Sequence, residues 1–238
     1  MKKITTTIAF FAFTIAFYGQ SLGYQDLALL FSQDDRNGTA RFTAMSGAFG
    51  ALGGDMSAVN INPAGLSVFN NSAFSGSLKS RQTNITSDYY GTNTNNQNQF
   101  LNISQAGAVF VFKNANKSDW NNFVLGFNYR ITKDFTNSFN VAGNSGIATF
   151  RNFPLDENEP IINYNIAEEQ RFFNDYAGEI SEMNIAFSSV HKEKLYIGAS
   201  LNFYDLNFSQ RTTLVEFNND GIGNTLDANL DQENFITS

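Results

Sequence analysis

The chain has no cysteine, a single histidine, a single tryptophan and three prolines in 238 residues. Without cysteine there are no disulfides, thiolate metal sites or redox pairs. Positive charge is scarce too: 15 Lys and Arg stand against 22 Asp and Glu, a formal net charge of −7. With no basic cluster to neutralise a phosphate backbone, a nucleic-acid partner is excluded. Charged residues make up 16% of the chain, below the roughly 25% of an ordinary soluble domain. Long apolar runs are missing as well. The one run, Ile8 to Tyr18, is shorter than the about 20 residues a transmembrane helix needs.

What is present is aromatic and small. Phe alone accounts for 25 residues, and Asn, Ser, Thr and Gly fill much of the rest. Disordered chains carry fewer aromatics than this. The first residues, MKKITTTIAFFAFTIAFYGQSLG, place Lys2 and Lys3 ahead of the apolar run and small polar residues after it. That layout is a secretory signal peptide over residues 1–23, cleaved between 16 and 23, with Ser21-Leu22-Gly23 suiting the small-x-small rule. The protein is expected to be exported.

Past the leader, apolar residues recur with a period of two. In WNNFVLGFNYRIT, Phe123, Leu125, Phe127, Tyr129 and Ile131 share one face. Asn122, Val124, Gly126, Asn128, Arg130 and Thr132 share the other, which is the signature of a strand. Leu195–Phe203 and Met183–Ser188 repeat the pattern, and Ala73–Arg81 and Leu101–Lys113 carry it more weakly. About five strands are therefore expected after Ser72. A soluble sandwich would turn the greasy face into a core; an outer-membrane barrel would turn it to lipid. The connections favour the barrel. Gln82–Phe100, Lys133–Ser181 and the stretch after Phe208 read as long polar loops, whereas Asn114–Asp119 and Lys192–Lys194 read as short turns. Short turns on one side and long loops on the other belong to an up-and-down antiparallel barrel. Within the long third connection, Asn165 and Glu168 form a capping box. Ile166, Phe173 and Ala177 follow at helical spacing with Gly178 as a stop, so a short amphipathic helix is expected there.

The stretch SGAFGALGGDMSAVNINPAGL, residues 46–66, looks at first like a phosphate cradle. It has no Gly-Lys-Ser/Thr, and Pro63 and Gly65 would break the helix that a dinucleotide site requires. A closely packed backbone is the better account of its glycines. Between Ala40 and Phe69 the chain resembles the N-terminal hatch of the long-chain fatty acid outer-membrane transporter family (FadL-like). Asn62, Pro63 and Ala64 supply that family's motif, and Asp55 its acidic position.

The resemblance implies an all-β transmembrane barrel of about fourteen strands with residues 24–71 as a lumenal plug and 72–238 as its first strands. It implies the bacterial outer membrane, assembly by the barrel-assembly machinery and contact with outer-membrane lipid. It also implies passive uptake of a hydrophobic small molecule such as a long-chain fatty acid, released sideways through a defect in the third strand. No cofactor, metal or enzymatic step enters. Gly126, mid-way along the third strand, is either the lateral gap or room for a plug side chain. The helix with Ile166 and Phe173 is a candidate capture surface. Five strands cannot close a barrel, because an open edge in lipid leaves backbone groups unpaired. The chain is accordingly read as the N-terminal part of a longer protein.

Rival readings are a general porin or structural barrel, or a barrel for haem or aromatic hydrocarbons. A lipase would need a Ser–His pair, and only His191, near Ser188 and Ser189, offers one. Asp227, Asn229 and Asp231 begin like a calcium loop, but Gln232 and Ser238 replace its required Gly and Glu.

Overall fold

Tyr90 and Gly91, both at positive φ, close a two-residue hairpin between β1 (Ala73–Tyr89) and β2 (Thr92–Lys113), the turn that matches strand twist. In this computed structural model, which describes residues 30–33, 35–114, 119–153 and 161–238, the chain goes on through β3 (Trp120–Asp134), β4 (Asn137–Gly143), β5 (Asn152–Phe153) and β6 (Ile162–Asn163). It then runs through β7 (Ile166–His191), β8 (Leu195–Asn219) and β9 (Thr225–Thr237). The main sheet is antiparallel and open, in the order β1-β2-β3-β7-β8-β9, with β4 added on β7; β5 and β6 pair by themselves. The expected leader lies outside the described residues.

The all-β, antiparallel expectation holds, and the alternation of the third strand is present in β3. Three expectations change. First, the polar run Gln82–Phe100 is not a loop. It forms the outer halves of β1 and β2, paired residue by residue up to Tyr89↔Thr92. The segment after Phe208 likewise completes β8 and becomes β9. Asn and Thr on both sides of a strand erase the hydrophobic period without removing the ladder's hydrogen bonds. With Tyr90–Gly91 a tight turn, the alternation of long and short connections is lost, and with it that argument for a barrel. The sheet itself is not closed.

Second, the helix expected near Ile166 is absent. Ile166, Phe173, Ala177 and Gly178 all belong to β7, which pairs with β8 from Ile166↔Asn219 to His191↔Leu195. A capping residue is worth about 1 kcal/mol, which a ladder of that length overrides. Ile166, Phe173 and Ala177 stand opposite Asn219, Thr213 and Ser209, on one face of β7; the bulge between Ala167 and Glu169 adds a residue between the first two, and the resulting steps of seven and four look helical. Third, Ile131 is buried, unlike its neighbours on the greasy face, although it still pairs with Ser181 in step with Tyr129↔Met183. A bulge between Ile131 and Lys133 adds Thr132 and turns the chain over.

Ahead of the sheet, Asp35–Phe69 folds into a short helix α1 (Ala40–Ala44) and two 3-10 turns, Met56–Ala58 and Pro63–Val68. Asp35–Ser238 is one compact unit.

Candidate functional site

The two faces of the sheet have opposite fates. Along β2, β3 and β7 the polar face is covered. Met56, Val59 and Leu66 of the Asp35–Phe69 segment pack on Val109, Val124 and Ala186 of β2, β3 and β7, forming a buried cluster. Phe42, Phe49 and Ala58 make a second cluster inside the segment, with the two rings stacked 5.9 Å apart.

Hydrogen bonds tie the segment to the sheet at the β3 bulge. The Asp35 N–H donates to Thr132 O at 2.7 Å, and Asn37 Nδ2 donates to Ile131 O at 2.7 Å. Lys79 on β1 donates to Asn37 Oδ1 at 2.8 Å. Farther along, Ser67 donates to Ser188 Oγ at 2.8 Å.

The motif residues act inside this segment. Asp55 is buried and accepts from the Ser57 N–H and the Thr39 hydroxyl. Asn62 caps the second 3-10 turn, accepting from the Gly65 N–H at 3.2 Å, and donates to Gly50 O at 2.8 Å. Pro63 sits in the first turn, where its missing N–H leaves nothing unsatisfied. The Gly54 N–H donates to Gly65 O at 2.9 Å, and a β-carbon on Gly65 would lie 2.6 Å from the Gly53 α-carbon. Two backbone strands touch there, which is what the glycines are for. Pro63 and Ala64 in turn lie directly on Gly198 of β8.

Gly126 has Leu66 against it, 2.7 Å from where a β-carbon would stand. Of its two expected roles, this contact is the room for a covering side chain. No gap opens at Gly126, since it pairs with Val109 on one side and Ala186 on the other. The β2–β3 ladder ends at Gln105↔Arg130.

Beneath the segment lies a polar layer that sequence reasoning did not assemble. Arg130 and the fully buried Glu182 pair at 2.6 Å. Glu182 also accepts from Asn184 at 2.9 Å, Tyr204 at 3.0 Å and Asn60 of the covering segment at 3.3 Å. Gln105, Asn128 and Asn184 continue the chain of amide bonds across three strands. The signal was available in part, as the Asn128–Arg130 polar face of β3; the partner Glu182 lies 52 residues away.

The apolar face is bare. Phe74, Leu78, Leu101 and Leu201 are 76%, 72%, 71% and 66% exposed, and Phe123, Phe127, Met183, Phe187 and Phe203 are exposed beside them. Its rings touch one another, as in Phe74–Phe110 at 5.8 Å and Phe110–Phe127 at 6.3 Å. On β8 the band runs from Leu195 to Phe203, about 27 Å along the strand. Trp120 stands near one end and Tyr129, donating to Glu179 at 2.9 Å, near the other.

Ile166 and Phe173 are exposed on β7. They sit in the outer half of the sheet, among polar neighbours, rather than on a helical capture surface. Ser189 donates to Asn122 O, Ser188 meets Ser67, and His191 faces Asp119 at 3.8 Å. Among the described residues no group of three or more His, Cys, Asp or Glu side chains could hold a metal ion, and no helix is long and apolar enough to cross a membrane. The chain matches no family model, no curated protein and no solved structure.

Proposed function

We propose that this chain builds part of the wall of an outer-membrane channel for passive uptake of hydrophobic molecules such as long-chain fatty acids, with Asp35–Phe69 as a hatch in its lumen. One observation carries the reading: along β2, β3 and β7 the sheet buries its polar face under the N-terminal segment and leaves its apolar face bare. A water-soluble sheet does the reverse, and soluble monomers rarely expose a continuous apolar patch beyond a few hundred Å². Lipid is the solvent that such a face requires. At a strand tilt of about 40° the nine-residue band on β8 covers roughly 20 Å of depth, close to the ~25 Å belt of outer-membrane barrels. The covering segment argues against a freely open pore. A side exit, if the wall has one, fits the end of the β2–β3 ladder at Gln105↔Arg130 better than Gly126.

The test is fractionation of cells expressing the gene product, followed by uptake of a labelled long-chain fatty acid. Recovery from the outer membrane with heat-modifiable migration, and uptake lost on deletion and restored by the gene, is the expected result. A water-soluble periplasmic product would overturn the membrane reading. Membrane recovery without any change in uptake would overturn the substrate.

A further inference from the structure

Three irregularities of the sheet fall on one line. β1 and β2 shift register between Ser77 and Leu78, leaving Ser104 without an opposite residue. The last backbone pair between β2 and β3 is Gln105↔Arg130, and the β3 bulge at Thr132 follows at once. On one side of this line the ladder is continuous from β1 through β8. On the other, β2 pairs only with β1, and β4 only with β7.

Side chains fill that seam. Asn96 donates to Asn140 O at 2.8 Å and accepts the Asn140 N–H at 3.0 Å. The Ala142 N–H donates to Thr94 Oγ1 at 3.3 Å. Asn98 donates to the Ser138 carbonyl, and Asn102 donates to Asp134 at 2.7 Å. Thr94, Asn96 and Asn98 step two residues at a time, while Ala142, Asn140 and Ser138 step back in the opposite direction. Amide and hydroxyl groups of β2 therefore occupy the hydrogen-bonding edge of β4 where a neighbouring strand's backbone would be. From β1, Arg81 donates to the Thr136 carbonyl. Tyr89 donates to Gln170 at 3.0 Å and sets its ring edge-on to Phe172 at 5.4 Å.

We propose that the outer half of the β1–β2 hairpin, Ser80–Leu101, is a hinged lid. It swings on the Ser77–Ser104 crease and is latched to β4 by Thr94, Asn96, Asn98 and Arg81, with Tyr89 closing over Phe172. The crease supplies a hinge because the ladder is already interrupted there. The latch is separable because it is made of a few side-chain hydrogen bonds, each of which water can replace. The hairpin's own ladder, unbroken from Leu78 to Tyr89, keeps the lid rigid as it moves. The device depends on this geometry alone, whatever the protein carries.

Amide hydrogen exchange on the full folded chain tests it. The Asn140 and Ala142 N–H groups are held across the seam by two different side chains, Asn96 and Thr94. Asn96→Ala removes only the first. If the hairpin swings as one body, exchange at Ala142 rises tenfold or more along with Asn140, and Thr94→Val raises Asn140 in return. The hairpin's own amides, Arg81 to Phe100, stay protected in both variants. Acceleration confined to the residue that lost its acceptor would overturn the lid. So would loss of protection throughout the hairpin, which would mean unfolding in place of swinging.

Discussion

A β-carbon placed on Gly198 would lie 2.5 Å from the backbone nitrogen of Ala64. The strand that ends the covered face and the turn that covers it meet backbone to backbone, so the Asn-Pro-Ala motif is seated by a glycine 134 residues away in the chain. Gly198→Val must push the 3-10 turn off the sheet. An overpacked site of this kind loses about 1–3 kcal/mol. Gly76→Ala, whose nearest neighbour is 4.0 Å away, should leave stability within a few tenths of a kcal/mol. Unfolding midpoints of the two variants in urea make the comparison.

Leu201 lies in the bare band on β8, and Arg there distinguishes the two solvents the face could meet. In a bilayer Leu201→Arg should destabilise by about 2–4 kcal/mol. If water bathes the face, the same change replaces an exposed apolar side chain and should be neutral or improve solubility. Folding titrations in lipid vesicles read the difference directly.

Arg130 and Glu182 are both buried, and the pair is completed by Asn184, Tyr204 and Asn60. Glu182→Gln should strand the guanidinium and cost about 3–5 kcal/mol. Arg130→Met should do comparable damage by stranding the carboxylate. The double change to Met and Leu should cost less than the sum of the single changes, a positive coupling visible in a double-mutant cycle.

Glu216, in the outer part of β8, is fully buried. It accepts from the Thr149 and Phe150 N–H groups and from the Gln170 and Asn218 side chains. Burial pushes its carboxyl up, but the bonds from Gln170, Asn218 and Thr149 outweigh it, and the net shift is downward from 4.5. A carboxyl lowered in the folded state stabilises the fold fully above its ordinary value and loses that contribution as pH falls through the lowered one. Stability should therefore drop below about pH 4.5. The drop should be smaller in Glu216→Gln, which is less stable than the parent at neutral pH. Thermal unfolding between pH 3 and 7 follows both.

Where one face of a strand is greasy and the other is not, the strand was legible. Phe123 to Tyr129 and Leu195 to Phe203 needed nothing beyond alternation. The outer halves of β1 and β2 were not, because Asn, Thr and Ser stand on both faces from Gln82 to Gln99 and leave no period to find. Ile166 to Ala177 misled for a different reason: a bulge after Ala167 sets Ile166 seven residues from Phe173 on the same face of β7, and steps of seven and four are also those of a helical stripe. Gly53 and Gly65 pack against each other inside the segment, as the sequence suggested, whereas the seats of Leu66 on Gly126 and Ala64 on Gly198 are contacts across distant parts of the chain.

The sequence by itself determined an all-β antiparallel chain, its two-faced strands and the need for a tight backbone before the first of them. These are local matters of side-chain alternation and of residues that lack a β-carbon. Only the tertiary structure decided which face is covered. It placed Leu66 on Gly126, Asn60 on Glu182 and Asn37 on the β3 bulge, and it left the greasy face open. No strand carries that information alone, because burial belongs to pairs of surfaces and alternation only says that a strand has two.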